Sequence, residues 1–257
     1  MRLRGRCAII LACISIGAAA NAAEVKIIIE NLAPANGTYI TPAWVGLHDG
    51  SFDIYDSGTA ATPQLERLAE DGNTGPIAQL FMDAGVGTAQ ATLNAIGPIG
   101  PGSSVEHTFD IDPTGELYFS YASMVIPSND AFIANGNPLA HQIFDADGNF
   151  VGANFFVVGT DVLDAGTEVN DELAANTAFF GQSSPDTGVT ENGNVGAHPG
   201  FLPVGSGGIL DSTEFANANF LQDGYPIAQI RVVPEPATLG LLAIGAAAGF
   251  VRRRRSA

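Results

Sequence analysis

Carboxylates dominate the chemistry this chain can offer, and three stretches concentrate them. In Met124-Val125-Ile126-Pro127-Ser128-Asn129-Asp130 an apolar run ends at a proline and delivers Asp130 to a loop. From Asp161 to Glu172 the chain carries Asp161, Asp164, Glu168, Asp171 and Glu172 with no basic neighbour. Like charges this close repel one another, and a bound cation relieves them. Carboxylate oxygens are hard donors, so the cation such a stretch would take is Ca2+, which accepts about six to eight oxygen ligands in flexible geometry. A solvated acidic loop is the alternative for each stretch alone. The third stretch, Asp145-Ala146-Asp147-Gly148-Asn149, opens like an EF-hand loop but lacks the glutamate that closes one, so it reads as a hairpin turn between Ile143-Phe144 and Phe150-Val151.

Other chemistries find little support. His48, His107, His141 and His198 are scattered, without the close spacing of a metal-binding pair. His107 falls on the apolar face of an alternating segment and reads as a core-edge residue. There is no Ser-His-Asp order, no phosphate-cradling glycine loop and no cysteine nucleophile, since Cys7 and Cys13 both precede the body of the chain. A non-enzymatic protein is the expectation. The competing class is an extracellular carbohydrate-active enzyme or lectin that meets sugar through exposed acids and Tyr39, Trp44 or Tyr55.

The elements that must hold these acids are mostly strands. Val25 to Glu30 is β-branched and reads as the first strand. Thr62 and Pro63 open a short helix whose Leu65, Leu68 and Ala69 form one apolar face, and Gly72 ends it. Gly85 to Ser104 reads as loop with one weak strand. Val105 to Ile111 alternates strictly, and Leu117 to Ile126 is apolar on both faces, as a central strand requires. Short runs at Ile143-Phe144, Phe155 to Val158, Phe179-Phe180 and Ile227 to Val233 complete the set. The fold class is therefore all-β, an antiparallel β-sandwich with a short helix and long loops.

Both ends carry addresses. Arg2, Arg4 and Arg6 precede apolar Cys7 to Ala20 and then Ala20-Asn21-Ala22, the pattern of a secretory signal peptide over 1–22 that signal peptidase removes. A lipoprotein reading at Cys13 leaves too short an apolar stretch before it. At the other end Pro234-Glu235-Pro236 precedes the apolar run Leu239 to Val251 and the cluster Arg252, Arg253, Arg254 and Arg255. Residues 237–251 span roughly 22 Å as a helix, short of the ~30 Å hydrocarbon core, so the segment is a marginal transmembrane helix with its arginines held cytoplasmic. An ordinary tail anchor is the plainer alternative. The terminal signals hold seven of the ten basic residues, leaving Lys26, Arg67 and Arg231 in the body, where all but one of the 27 acids lie. Such a surface repels nucleic acid and attracts divalent cations.

Triplet, apolar run and arginine cluster over 234–257 resemble the PEP-CTERM sorting signal. That resemblance implies an exosortase partner, a Gram-negative source that makes exopolysaccharide, and transient anchoring in the inner membrane on the way to the cell surface or matrix. The body, residues 23–233, resembles the N-terminal spondin domain. The resemblance rests on the glycine-containing strand before Ser51-Phe52, the Leu, Ala and Glu-rich helix, Pro127-Ser128-Asn129-Asp130, and Asp164-Ala165-Gly166-Thr167-Glu168. It implies a calcium-binding adhesion or matrix module with Asp130, Asp164 and Glu168 as ligands, whose partners include exopolysaccharide or surface proteins. Glu168 stands where that family has aspartate, and Ala131 where it usually has tryptophan.

Overall fold

A computed structural model describes residues 23–94 and 96–235. The predicted signal peptide, Pro236, the apolar run and the four terminal arginines lie outside them. Among the described residues no helix is long and apolar enough to cross a membrane. Two antiparallel sheets and two short helices make up the regular structure. In chain order these are β1 (Ala23–Asn31), β2 (Tyr39–Ile40), β3 (Ala43–His48), α1 (Pro63–Asp71), α2 (Gly75–Ala84), β4 (Gln90–Leu93), β5 (Ser104–Ile111) and β6 (Tyr118–Ile126). There follow β7 (Ala131–Ala134), β8 (Ala153–Val158), β9 (Leu163–Asp164), β10 (Gly196–Ala197) and β11 (Pro226–Pro234).

The smaller sheet runs β5-β1-β11-β8, and the larger runs β10-β9-β7-β6-β3-β4 with β2 also on β6. Val25, Ile27 and Ile29 of β1 alternate inward, joined by Ile230 and Val232 of β11. They share one core with Val45, Leu47, Phe119 and Tyr121 of the larger sheet. The opposite face of the larger sheet is covered by the helices, where Trp44, Ala122 and Phe132 meet Leu65, Leu68, Ile77 and Phe81. β6 is therefore buried on both faces, which explains its mostly apolar sequence, and its two serines, Ser120 and Ser123, are hydrogen-bonded within the fold.

Helix α1 is set by local chemistry. Thr62 Oγ1 accepts the Leu65 N–H at 3.2 Å, Pro63 occupies the first turn, and Gly72 closes the helix at φ 64°. Replacing Thr62 with alanine is expected to lower stability by about 1 kcal/mol, read as a shift in the denaturant midpoint at unchanged slope. A second helix, α2, occupies a stretch to which sequence reading assigned no element. Pro76 fits its first turn and Ile77 and Phe81 sit one turn apart, both buried.

Three further expectations are corrected. His107 lies on the same face as Phe109, with ring centroids 4.5 Å apart, but is exposed: in β5 burial is confined to Phe109 and Ile111. Phe179-Phe180 forms no strand: Phe179 has φ 60°, and Phe180 packs instead on a small cluster around Phe215. Trp44, named as a sugar-contact residue, is wholly buried, and its Nε1 donates to Gln90 Oε1 at 2.7 Å.

Candidate metal centre

Strand pairing brings the two acidic stretches together. β7 pairs with β9 so that Ala131 faces Asp164, which sets Asp130 beside Asp164. The Ala165 N–H donates to the Asp130 carbonyl at 3.2 Å. Past β9 the chain turns through Gly166 at φ 68°, where an added Cβ would stand 2.7 Å from the Asn194 nitrogen. That turn aims the next two amides at Asp130. Its Oδ2 accepts the Thr167 N–H at 2.8 Å, the Thr167 hydroxyl at 3.2 Å and the Glu168 N–H at 3.1 Å.

The other oxygen, Asp130 Oδ1, is buried without a hydrogen-bond partner, and so is Glu168 Oε2. Asp130 is 0% exposed and Glu168 3%. Buried carboxylate oxygens normally find donors, so each of these two is an exception within the fold. Among the described residues Asp130, Asp164 and Glu168 do not bring their carboxylate oxygens within 4.8 Å of one another. Glu168 Oε1 accepts the Gly188 N–H at 2.9 Å, and a Cβ on Gly188 would fall about 2.0 Å from the Glu168 carboxyl carbon. Burial, then the charge of Asp164, pushes Asp130 up to about 7; burial, then the charge of Glu70, pushes Glu168 up to about 7.

Asp164 is held differently. Its Oδ1 accepts the Gly166 N–H at 2.6 Å and its Oδ2 the Asn170 amide at 2.6 Å. Asn170 Oδ1 in turn meets His198 Nε2 at 3.1 Å, while His198 Nδ1 accepts the Gly200 N–H at 3.0 Å. Burial holds His198 down to about 4, so it is neutral at pH 7. The ordered chain His198–Asn170–Asp164 fixes the carboxylate from behind. Sequence reading passed over Asn170 and His198, because their link spans a loop that no local pattern connects.

Sequence reading also missed Glu70. It is 3% exposed at the inner edge of α1, and burial raises its pKa. Glu66, Glu70 and Asp186 bring carboxylate oxygens within 4.8 Å of one another. Arg67 lies among them. Its Nη2 contacts Glu66 at 3.3 Å, Glu70, and Asp186 at 3.3 Å, and its Nη1 contacts Asp71 at 2.7 Å. Glu66, Glu70, Asp186 and Glu168 line a cavity of about 180 Å³. One guanidinium thus faces four carboxylates.

The remaining acids of the 161–172 stretch are occupied by the fold. Asp161 accepts the Val158 N–H at 2.9 Å, Asp171 takes the Asn176 amide at 2.7 Å, and Glu172 takes the N–H groups of Leu202 and Ile209. The Asp145 loop is a turn, as its sequence implies. Asp145 accepts the Asp147 N–H at 2.9 Å and the Asn149 N–H at 2.8 Å, Phe144 bridges Phe150, and the donors hold the Asp145 carboxyl below its usual range.

The predicted sorting residues meet the fold at its edge. β11 runs through Pro234, in register with Val25, and Glu235 forms an ion pair with Lys26 at 3.0 Å. The folded body therefore extends past the expected boundary at Val233. Compared with known families, residues 232–255 match the PEP-CTERM protein-sorting motif. The match marks the chain for export and for sorting by an exosortase system toward the cell envelope or surface of a Gram-negative bacterium. No curated protein matches the chain significantly. The matched residues include the end of β11, so signal and fold overlap at 232–235.

Proposed function

We propose that the exported body is a calcium-binding, non-enzymatic adhesion or matrix module of the spondin kind, held at the surface or in exopolysaccharide. The observation that carries this reading is that two buried carboxylates, Asp130 and Glu168, each keep one oxygen without a hydrogen-bond partner, and that strand pairing sets the first of them beside Asp164. Their donor set is all carboxylate, which favours a hard oxygen-seeking cation over a soft metal. Asp130 and Glu168 would each offer the free oxygen, and Asp164 would add a carboxylate already oriented by Asn170. Bound calcium would supply charge neutralisation that ties the Asp130 turn to the Glu168 loop, so its role is structural.

The histidines support a module without acid–base chemistry. His48 Nε2 meets Ser120 Oγ at 2.8 Å, its Nδ1 accepts the Gly50 N–H at 3.0 Å, and burial holds it down to about 4. His141 is stacked on Phe155 with centroids 3.8 Å apart and is likewise held down to about 4 by burial.

Calcium titration of the purified protein is the test. Saturation at about a hundredfold over the dissociation constant is expected to add about 2.7 kcal/mol, seen as a rising melting temperature. A variant with Asp130, Asp164 and Glu168 all replaced by alanine should show no such rise. An unchanged wild-type melting temperature would remove the calcium assignment. Incubation with the producer's own polysaccharide separates the classes, because bond cleavage abolished by one carboxylate substitution would make the protein an enzyme.

A further inference from the structure

Glu235 is the middle residue of the sorting triplet, and the folded domain grips it. Its N–H donates to the Glu24 carbonyl at 3.2 Å. Its carboxylate takes Lys26 Nζ at 3.0 Å and the Thr108 hydroxyl at 3.0 Å, which together hold it below the usual carboxylate range. Lys26 and Thr108 face each other across β1 and β5, so they form a single seat built by strand register. The Glu235 side chain is only 19% exposed there. The preceding proline is paired opposite Val25, in the last rung of the β1–β11 ladder.

A protein that reads the triplet has one charged group to recognise, the Glu235 carboxylate, and a short backbone segment around it. Both are engaged in the folded chain. An enzyme that needs them must wait until the end of β11 peels from β1 and Glu235 leaves Lys26 and Thr108. The seat exists only once β1, β5 and β11 have met, so the motif is freest before the small sheet closes.

We propose that the seat formed by Lys26 and Thr108 masks the sorting motif, so that release of Glu235 limits the rate at which the folded precursor is processed. The contacts lie at the surface, where one ion pair and one hydroxyl bond are modest, so the mask is a brake of about fivefold and not a lock. This rests on the matched sorting motif and is independent of calcium.

The test follows the full-length chain through a pulse and chase in an exosortase-bearing producer. The Lys26→Ala/Thr108→Val chain is expected to mature about fivefold faster than wild type. Glu106→Ala removes the other partner of Lys26, at 3.1 Å, leaves the seat in place, and should keep the wild-type rate. In the purified full chain, hydrogen exchange at the Glu235 amide should quicken in the double variant while Ile27 and Ile29 stay protected, which also shows that the variant has folded. Maturation at or below the wild-type rate, or unchanged exchange at Glu235, would overturn the mask. A chain lacking residues 234–236 should not be processed; its processing at the wild-type rate would instead overturn the role of the motif itself.

Discussion

In calcium-free buffer at pH 8, a protein carrying Asp130→Asn and Glu168→Gln is expected to melt above the wild type, with the gap closing as pH falls from about 7 toward 4. Both carboxyls titrate near 7 in the folded chain because they are buried among other acids. In the unfolded chain they titrate at about 4. Between those values the native protein holds protons that the unfolded chain has lost, so wild-type stability falls as pH rises, by about 1.4 kcal/mol per unit for each group. Below both values the groups are neutral in either state and the variant gains nothing. His48, His141 and His198 act in the opposite sense below pH 6.5, since burial lowers them to about 4, but they are common to both proteins and cancel in the difference. Saturating calcium should reverse the order by stabilising only the wild type. A variant less stable than wild type in calcium-free buffer at pH 8 would show that the donors on Asp130 Oδ2 outweigh the cost of the buried charge.

The second large effect lies in the core between the larger sheet and the two helices. Trp44→Ala is expected to cost about 3–5 kcal/mol, measured by guanidinium unfolding. The indole is wholly buried, with Phe52 at 5.4 Å and Phe81 at 5.5 Å between ring centroids. Gly46 packs so tightly on it that an added Cβ would lie 2.6 Å from Trp44 Cζ2. Truncation also leaves Gln90 Oε1 without its donor, and Gln90 Nε2 is what reaches the Ala78 carbonyl on α2 at 3.0 Å. Exposed Val204, by contrast, should tolerate alanine within about 0.5 kcal/mol. A loss below 1 kcal/mol at Trp44 would mean that the helices are not anchored on the sheet as described.

What could be read from sequence follows from the range of each signal. Helix α1 was legible because Thr62, Pro63 and Gly72 act within a few residues of one another. Central β6 was legible because burial on both faces leaves only the small Ser120 and Ser123 between its apolar residues. Helix α2 was obscured by Gly72, Gly75 and Pro76, although Ile77 and Phe81 carried its period. Asp130, Asp164 and Glu168 were picked out as separate motifs, and the β7–β9 register places the first two side by side. Glu70 could not be added to them from sequence, since its inward position depends on which edge of α1 packs against β6 and β7. The aromatic pair Phe179-Phe180 misled because an apolar doublet has the same appearance in a strand and in a loop that packs on a satellite cluster.

The position of β11 bears on the order of folding. It is an interior strand of the smaller sheet, lying between β1 and β8, yet residues 226–234 are the last of the described body to be made. Its partner β1 is the first. A chain emerging from the N-terminus therefore cannot close that sheet until nearly all of it has been translated. Such non-local pairing is slow and late by its topology. For a chain bearing an export address this is an advantage: the domain stays threadable during passage and completes its core only after its final strand arrives.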